Sequence, residues 1–389
     1  MLTIIGGTYL ELCHDPNWYE LYGSGLRAAI ALSRVVQNIS FISCLGDEEK
    51  GSFESICATY DIDPCIHKIP CTFAFEYYHP LSAPIYFPEP KEILVFSDIK
   101  ADNILFFGML EATVKLDGRY VVYDPQNGKS FKETKSRAEH LAIVLNRNEA
   151  MLLSDARKDD DLEDIGKKLL INESAEVIII KDGTNGAFVI ENNNTTRIPV
   201  FKTNSVWPIG SGDIFSSAFA WQWMVEKKTP VEAACKASLF TANYCQFRQL
   251  PLSVEPKELI ALPIKREKKT IYLAGPFFTT SERWLINELY FLLKSFGNNV
   301  FSPFHEIKSD DPTEITIQDL EALTKADIVF GIVSGLDAGT LFEIGYAKSL
   351  NKRIIILAEN VKIEDLTLLI GSDCEVTNDL TSAIYMTSW

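Results

Sequence analysis

No two cysteines in this 389-residue chain have C-x-x-C spacing, and the eight present, at 13, 44, 57, 65, 71, 235, 245 and 374, are scattered. That pattern excludes a disulfide framework or a cysteine zinc site and fits free thiols in a reducing compartment. Positive charge is in deficit: 37 Lys and Arg face 53 Asp and Glu, a formal charge of −16. Such a balance argues against binding to a nucleic-acid backbone or to an anionic membrane surface. No apolar run reaches the roughly 20 residues that a membrane span needs. The start, Met1-Leu-Thr-Ile-Ile-Gly-Gly7, has no basic segment and reads as a first strand, not a secretory signal. The expectation is a cytoplasmic protein with no membrane or nucleic-acid partner. Apolar residues are plentiful, at 47%, enough at this length for two or three cores.

Leu2–Ile5, Ile39–Cys44, Ile104–Phe107, Tyr120–Tyr123, Ile143–Leu145 and Val177–Ile180 are apolar runs of strand length. Gly25–Val36 and Gly51–Tyr60 have helical spacing, so this half reads as repeated βα units. Between Asp63 and Phe96, prolines at 64, 70, 80, 84, 88 and 90 leave only short β segments, suited to an edge hairpin or lid. The charged run Asp155–Asp164 reads as a solvated loop or helix start. Pro251–Lys269, with three prolines and then a charged cluster, marks a junction near residue 264. After it the pattern is strand (Thr270–Ala274), helix (Ser281–Phe296), strand (Asn299–Phe301), helix (Thr316–Lys325), strand (Asp327–Val333), helix (Thr340–Leu350), strand (Arg353–Leu357). That is a small doubly wound α/β sheet.

Two stretches carry chemistry. The first is Gly331-Ile-Val-Ser-Gly-Leu-Asp337-Ala-Gly339-Thr-Leu-Phe-Glu343-Ile-Gly345-Tyr-Ala347, a strand, a turn and a helix. Open α/β sheets place ligands at such corners. Asp337 falls in the turn and Glu343 on the first turn of the helix, where two carboxylates can converge on a sugar. Upstream, Lys269-Thr-Ile-Tyr272-Leu-Ala-Gly275-Pro276-Phe277-Phe278 is again a strand entering a turn, and Phe301-Ser-Pro-Phe-His305-Glu306 follows another.

Together these motifs, over residues 268–389, resemble the nucleoside 2-deoxyribosyltransferase family. The resemblance makes Glu343 the nucleophile that forms a glycosyl-enzyme, with Asp337 the preceding aspartate of the pattern. It makes Tyr272 the residue that holds the nucleophile or the sugar, and Asp319 the group that handles the proton of the leaving base. Gly275, Pro276, Phe277 and Gly339 fall on the substrate side, and His305 and Glu306 are further pocket candidates. No metal or organic cofactor is needed for this step. The family also completes sites across subunits, which implies a homo-oligomer.

The second stretch is Trp207-Pro208-Ile209-Gly210-Ser211-Gly212-Asp213-Ile214-Phe215, a glycine turn opening a helix from Ile214 to Val225. Free amides and the helix dipole favour an anion there. Asp213 can act as general base toward a hydroxyl while Gly210, Ser211 and Gly212 hold a phosphoryl group, or can simply cap the helix. With Gly23-Ser-Gly25…Ala29-Ile-Ala-Leu-Ser-Arg34, Leu45-Gly46-Asp47, Tyr123-Asp124-Pro125, Asn148-Glu149 and Lys181-Asp-Gly183 in order, residues 1–262 resemble the ribokinase-like (PfkB) sugar and nucleoside kinases. Three departures stand out. Trp207 and Pro208 replace the usual D-T, Arg27 replaces an asparagine, and Met151 stands where the N-x-x-E element, begun at Asn148, expects its glutamate.

The expected fold is thus α/β: a ribokinase-like αβα domain over 1–262, then a smaller flavodoxin-like parallel-sheet domain over 263–389. The expected activity is N-glycosyl cleavage or transfer through Glu343 on a nucleoside or nucleotide, with a free base as partner. Ribose or deoxyribose, the identity of the base, and water or a second base as acceptor all stay open. For the first domain two alternatives stand. One is an ATP- and Mg2+-dependent kinase with Asp213 as base; the other is a ligand-sensing module built on a degenerate kinase.

Overall fold

Alternation along the strands sorts this chain into layers. The computed structural model describes all residues except 91–92, 127, 158–159, 193 and 265–267. It forms two units: Met1–Thr203 with Trp207–Ile264, and Asn204–Val206 with Lys265–Trp389. The charged residues 265–267 of the proline-rich junction, and 158–159 of the run Asp155–Asp164, lie outside the described residues. Asp161 of that run caps the helix Leu162–Glu173 by accepting from Glu163 N. Among the described residues no helix is long and apolar enough to cross a membrane.

The first unit contains strands β1 (Leu2–Ile5), β2 (Leu10–Cys13), β3 (Trp18–Leu21), β4 (Ile39–Leu45), β5 (Ile62–Lys68), β6 (Ala74–Tyr77), β7 (Ile85–Phe87), β8 (Leu94–Phe107), β9 (Ala112–Asp124), β10 (Arg137–Asn146), β11 (Val177–Lys181), β12 (Ala187–Glu191) and β13 (Asn194–Ile198). Its helices are α1 (Gly23–Leu32), α2 (Lys50–Tyr60), α3 (Arg147–Ser154), α4 (Leu162–Glu173), α5 (Ser211–Ala220) and α6 (Pro230–Phe247). Nine strands make the main sheet in the order β13-β12-β11-β10-β9-β8-β1-β4-β5, and β3-β2-β6-β7 make a second one. Of the proline-broken stretch, β5 is an edge strand of the main sheet, while β6 and β7 lie in the second. One sheet face, with Ile4, Leu105, Val122, Val144 and Ile179, packs under α1, α2, α5 and α6. The other, with Ile5, Phe106, Tyr123, Ile143 and Ile180, packs under α3 and α4.

The expectation of repeated βα units fails between β8 and β10. β8 has 14 residues and β9 has 13, and only residues 108–111 join them. They pair in parallel, Leu94 beside Ala112 and Phe107 beside Asp124. A straight strand of that length would run about 45 Å, whereas five Cα steps reach at most about 19 Å. The strands therefore curl. The ladder slips between Phe96 and Ile99, with Asp98 at φ 63°, and Phe96, Ala112, Val114 and Leu116 fold back onto the face carrying Phe106 and Tyr123. The leading halves of these strands do the covering that a crossover helix does elsewhere.

The second unit runs β14 (Thr270–Ala274), α7 (Thr280–Ser295), β15 (Asn299–Phe301), α8 (Pro303–Glu306), α9 (Pro312–Lys325), β16 (Ile328–Ile332), α10 (Ala338–Ser349), β17 (Arg353–Leu357), α11 (Thr367–Gly371), β18 (Glu375–Thr377) and α12 (Leu380–Met386). Its sheet order is β15-β14-β16-β17-β18, and every pair is parallel. The order changes direction at β14 and β16, so their carboxyl ends flank the crevice where such sheets bind ligands. Val206 N donates to Ser382 Oγ on α12 at 2.9 Å, tying Asn204–Val206 into this unit.

Candidate active sites

In the second unit Tyr272 is the hub. It lies on β14, fully buried, and its phenol oxygen is 2.6 Å from Glu343 Oε1 and 3.1 Å from Asp319 Oδ1. β14 supplies Tyr272, α9 supplies Asp319 and α10 supplies Glu343, so three elements aim polar groups at one point. Because α10 begins at Ala338, Glu343 stands on its second turn and not its first. Gly331 on β16 lets that helix close in: a Cβ there would come within 2.8 Å of Ile344 Cδ1.

Burial pushes the Glu343 carboxyl up to about 7, the Tyr272 hydroxyl pulls it back, and the charges of Asp319 and Asp337 push it further up. Burial likewise raises Asp319, against the pull of the same hydroxyl. Tyr272 itself is driven well above the usual phenol range by burial and then by Glu343. The phenol has one hydrogen. The shorter contact gives it to Glu343, and a protonated Asp319 would donate to the same oxygen.

The other expected residues are placed as follows. Asp337 is the N-cap of α10: its Oδ2 accepts from Thr340 N at 2.8 Å and Thr340 Oγ1 at 2.9 Å. A Cβ on Gly339 would sit 3.2 Å from that oxygen, and one on Gly275 would meet Ile286 and Ile332 at 3.0 Å. Pro276 is buried at the end of β14. Phe277 packs on Phe278 and Phe304, and Phe278 is 67% exposed. His305 stacks on Tyr290 at 3.9 Å and Glu306 accepts from Tyr290 Oη, so both brace α8 against α7.

A carboxylate attacks carbon only when ionised, so any activity that uses Glu343 in that way is expected to rise with pH through about 7. Tyr272→Phe removes the hydroxyl that pulls the carboxyl down. A hydrogen bond to a charged group is worth about 1.5–3 kcal/mol, which moves the acid limb of kcat/KM up by about one to two pH units. A pH profile of both proteins checks this, and an unmoved limb would count against the placement.

In the first unit Gly210 adopts φ 77° and is itself the N-cap of α5. The helix therefore starts at Ser211, and Asp213 lies in its first turn and is not the cap. A Cβ on Gly212 would sit 3.4 Å from Lys181 Nζ, so glycine keeps a cradle open between the turn's amides and that ammonium. Lys181 Nζ also donates to Asp124 Oδ2 at 3.0 Å, and Ser216 Oγ to the same oxygen at 2.6 Å. Burial pushes Asp213 up to about 6 although Arg27 pulls it down.

Two features here escape the sequence reading. The N-x-x-E element begins two residues earlier than Asn148: Asn146 caps α3, with Glu149 at the third position completing a reciprocal capping box. Glu149 is pushed up to about 7, by burial and then by Asp124. Met151 replaces nothing, and the spacing Asn146-Arg-Asn-Glu149 was the signal. Glu11 on β2 is the second. It accepts from Arg27 at 2.9 and 2.5 Å and from Gly23 N at 3.0 Å. No local motif announces a partner 16 residues away. Among the described residues, no group of three or more His, Cys, Asp or Glu is arranged to hold a metal.

Known proteins match both units. The first unit is similar in fold to ribokinase from Giardia lamblia, with a TM-score of 0.50 and 14% identity over 64% of this chain and 95% of that one. Ribokinase from Thermotoga maritima gives 0.46 and 17% over 65% and 96%. Aminoimidazole riboside kinase from Salmonella enterica, solved with aminoimidazole riboside and an ATP analog, gives 0.49 and 15% over 63% and 93%. No curated protein sequence matches the chain. Two family models do, and they lie in the order that the motifs suggest. Residues 109–245 match the pfkB family carbohydrate kinases and residues 271–373 the nucleoside 2-deoxyribosyltransferases, so a ribokinase-like domain precedes a deoxyribosyltransferase-like one.

Proposed function

We propose that the second unit breaks and remakes the N-glycosyl bond of a nucleoside or its 5′-phosphate through a glycosyl-Glu343 intermediate. The observation that carries this reading is the convergence of Glu343 and Asp319 on the single hydroxyl of Tyr272. Glu343 attacks C1′ as the base departs, and an oxocarbenium-like transition state forms between them. Asp319, whose affinity for a proton burial raises, hands a proton to the leaving base. Tyr272 fixes the attacking oxygen. Asp337 holds the start of α10 with Oδ2, which leaves Oδ1 for a sugar hydroxyl. Water or a second base then gives its proton to Asp319 and attacks C1′ from the face the first base left, the Glu343–C1′ bond breaks to free the carboxylate, and the configuration at C1′ is retained.

The test is a panel of nucleosides and monophosphates, with and without a second free base, followed by chromatography and by intact-protein mass after acid quench. A mass gain equal to one glycosyl group, mapped to Glu343, is the expected result. Base release without any such adduct under single-turnover conditions would point to direct attack by water and sink the covalent step.

For the first unit, the pfkB match and the cradle at Gly210–Gly212 support binding of ATP with Mg2+. The turn's amides and Lys181 would hold the phosphates, and Glu149 and Asp124 offer carboxylates to a cation that arrives with them. Mg2+ would neutralise phosphate charge there.

A further inference from the structure

Both carboxylate oxygens of Asp213 are already taken by the chain. Arg27 Nη1 donates to Oδ2 at 3.0 Å and Gln126 Nε2 to Oδ1 at 2.7 Å. Arg27 is only 1% exposed. Its guanidinium is clamped from the other side by the two-bond fork to Glu11, and the Tyr22 ring covers it at 4.8 Å. A Cβ on Gly210 would lie 2.2 Å from Arg27 Nε, so the guanidinium lies directly against the turn that leads to Asp213. Turn and arginine fit as a pair: glycine at 210 provides the room that arginine at 27 fills. Arg27 Nε has no hydrogen-bond partner, the mark of a group seated by its other contacts.

A hydroxyl that gives its proton to Asp213 must come within hydrogen-bond reach of one of these oxygens. Arg27 and Gln126 each hold one of these oxygens with an N–H donor that cannot take a proton from a hydroxyl, so an acceptor has to share an oxygen with one of them. Seating an acceptor on the Arg27 side of Asp213 means expelling the guanidinium from its seat, which strips Glu11 of its partner while it stays buried. Glu11 in turn is already engaged by Arg27 on both oxygens and by Gly23 N on Oε1.

We propose that Arg27 occupies the acceptor's place in the first unit, so that this unit holds a phosphate donor without passing a phosphoryl group to a sugar or nucleoside. The proposal rests on reading Asp213 as the base and Gly210–Gly212 as the donor's cradle. It makes Arg27 the residue that separates a binding unit from a kinase.

The test compares the full-length protein with Asp213→Asn and with Arg27→Asn/Glu11→Gln, which removes the clamped pair together and leaves Asp213 with Gln126 as its partner. Circular dichroism checks that each is folded. Calorimetry with the non-hydrolysable analogue β,γ-imido-ATP and Mg2+ reads donor binding. ADP formation that depends on an added sugar or nucleoside reads transfer. All three proteins are expected to bind the analogue, the parent is expected to show no acceptor-dependent ADP, and the double variant to exceed it at least tenfold. Acceptor-dependent transfer by the parent that Asp213→Asn abolishes would overturn the proposal. So would a folded double variant that binds the analogue yet transfers nothing. Absence of analogue binding by the parent would overturn the donor cradle, a separate failure seen in calorimetry alone, and the proposal with it.

Discussion

Glu343→Ala should lower base release and base exchange by about a thousandfold or more, the scale seen when an attacking group is deleted. On the proposed mechanism the alanine protein keeps Tyr272, Asp319 and the α10 cap for binding and for proton transfer to the base, but has nothing to bond to C1′. The loss should fall on kcat, with KM nearly unchanged, in initial-rate assays at pH 8. The change should not lower the melting temperature at that pH. Burial raises the Glu343 carboxyl to about 7, so the folded state binds its proton more tightly than the unfolded chain does. That preference favours the fold at low pH and is lost as pH rises through about 7, where the charge must be kept in a poorly hydrated place. Removing the carboxylate therefore relieves the fold at pH 8. A fall in melting temperature as large as the fall in rate would mean that Glu343 is structural.

The second large effect is on stability. Arg27→Met should cost about 3–5 kcal/mol, because it leaves Glu11 buried beside Asp213 with no cation between them. Urea unfolding followed by tryptophan fluorescence can read this in the first unit, where Trp18 meets Trp207 edge-on at 5.1 Å and Arg248 lies over Trp207. Arg27→Met/Glu11→Leu should recover most of the loss, since an apolar pair of similar volume carries no desolvation penalty. If the single variant unfolds at the same urea concentration as the parent, the buried network does not hold the unit together.

The short, strongly apolar strands could be read from sequence because both of their faces are buried. Leu2–Ile5, Thr270–Ala274 and Arg353–Leu357 have the same ends in the structure, and so does Asn299–Phe301, an edge strand of which only Val300 is buried. The leading half of β9 could not, because it alternates buried Val114 and Leu116 with exposed Lys115 and Asp117, like any solvated hairpin. The elements from α11 to α12 were missed for want of apolar runs. The meeting of Tyr272 with Glu343 was legible because the strand end and the turn that carry them hold ordered motifs. Arg27 was seen only as a departure, since its partners Glu11 and Asp213 lie 16 and 186 residues away and only the folded sheet brings them together.

The curling of β8 and β9 bears on how this sheet is assembled. Successive partners along β8, β9 and β10 lie only about 17–20 positions apart in sequence, as in Phe107 with Asp124 and Arg137 with Asp117. Loop closure at that separation costs little entropy, and rates of folding follow such separations. Each strand can thus dock on its predecessor as it leaves the ribosome, so the centre of the nine-stranded sheet can wind up vectorially. The contact of β1 with β8, inside the same sheet, spans about a hundred residues and closes a far larger loop.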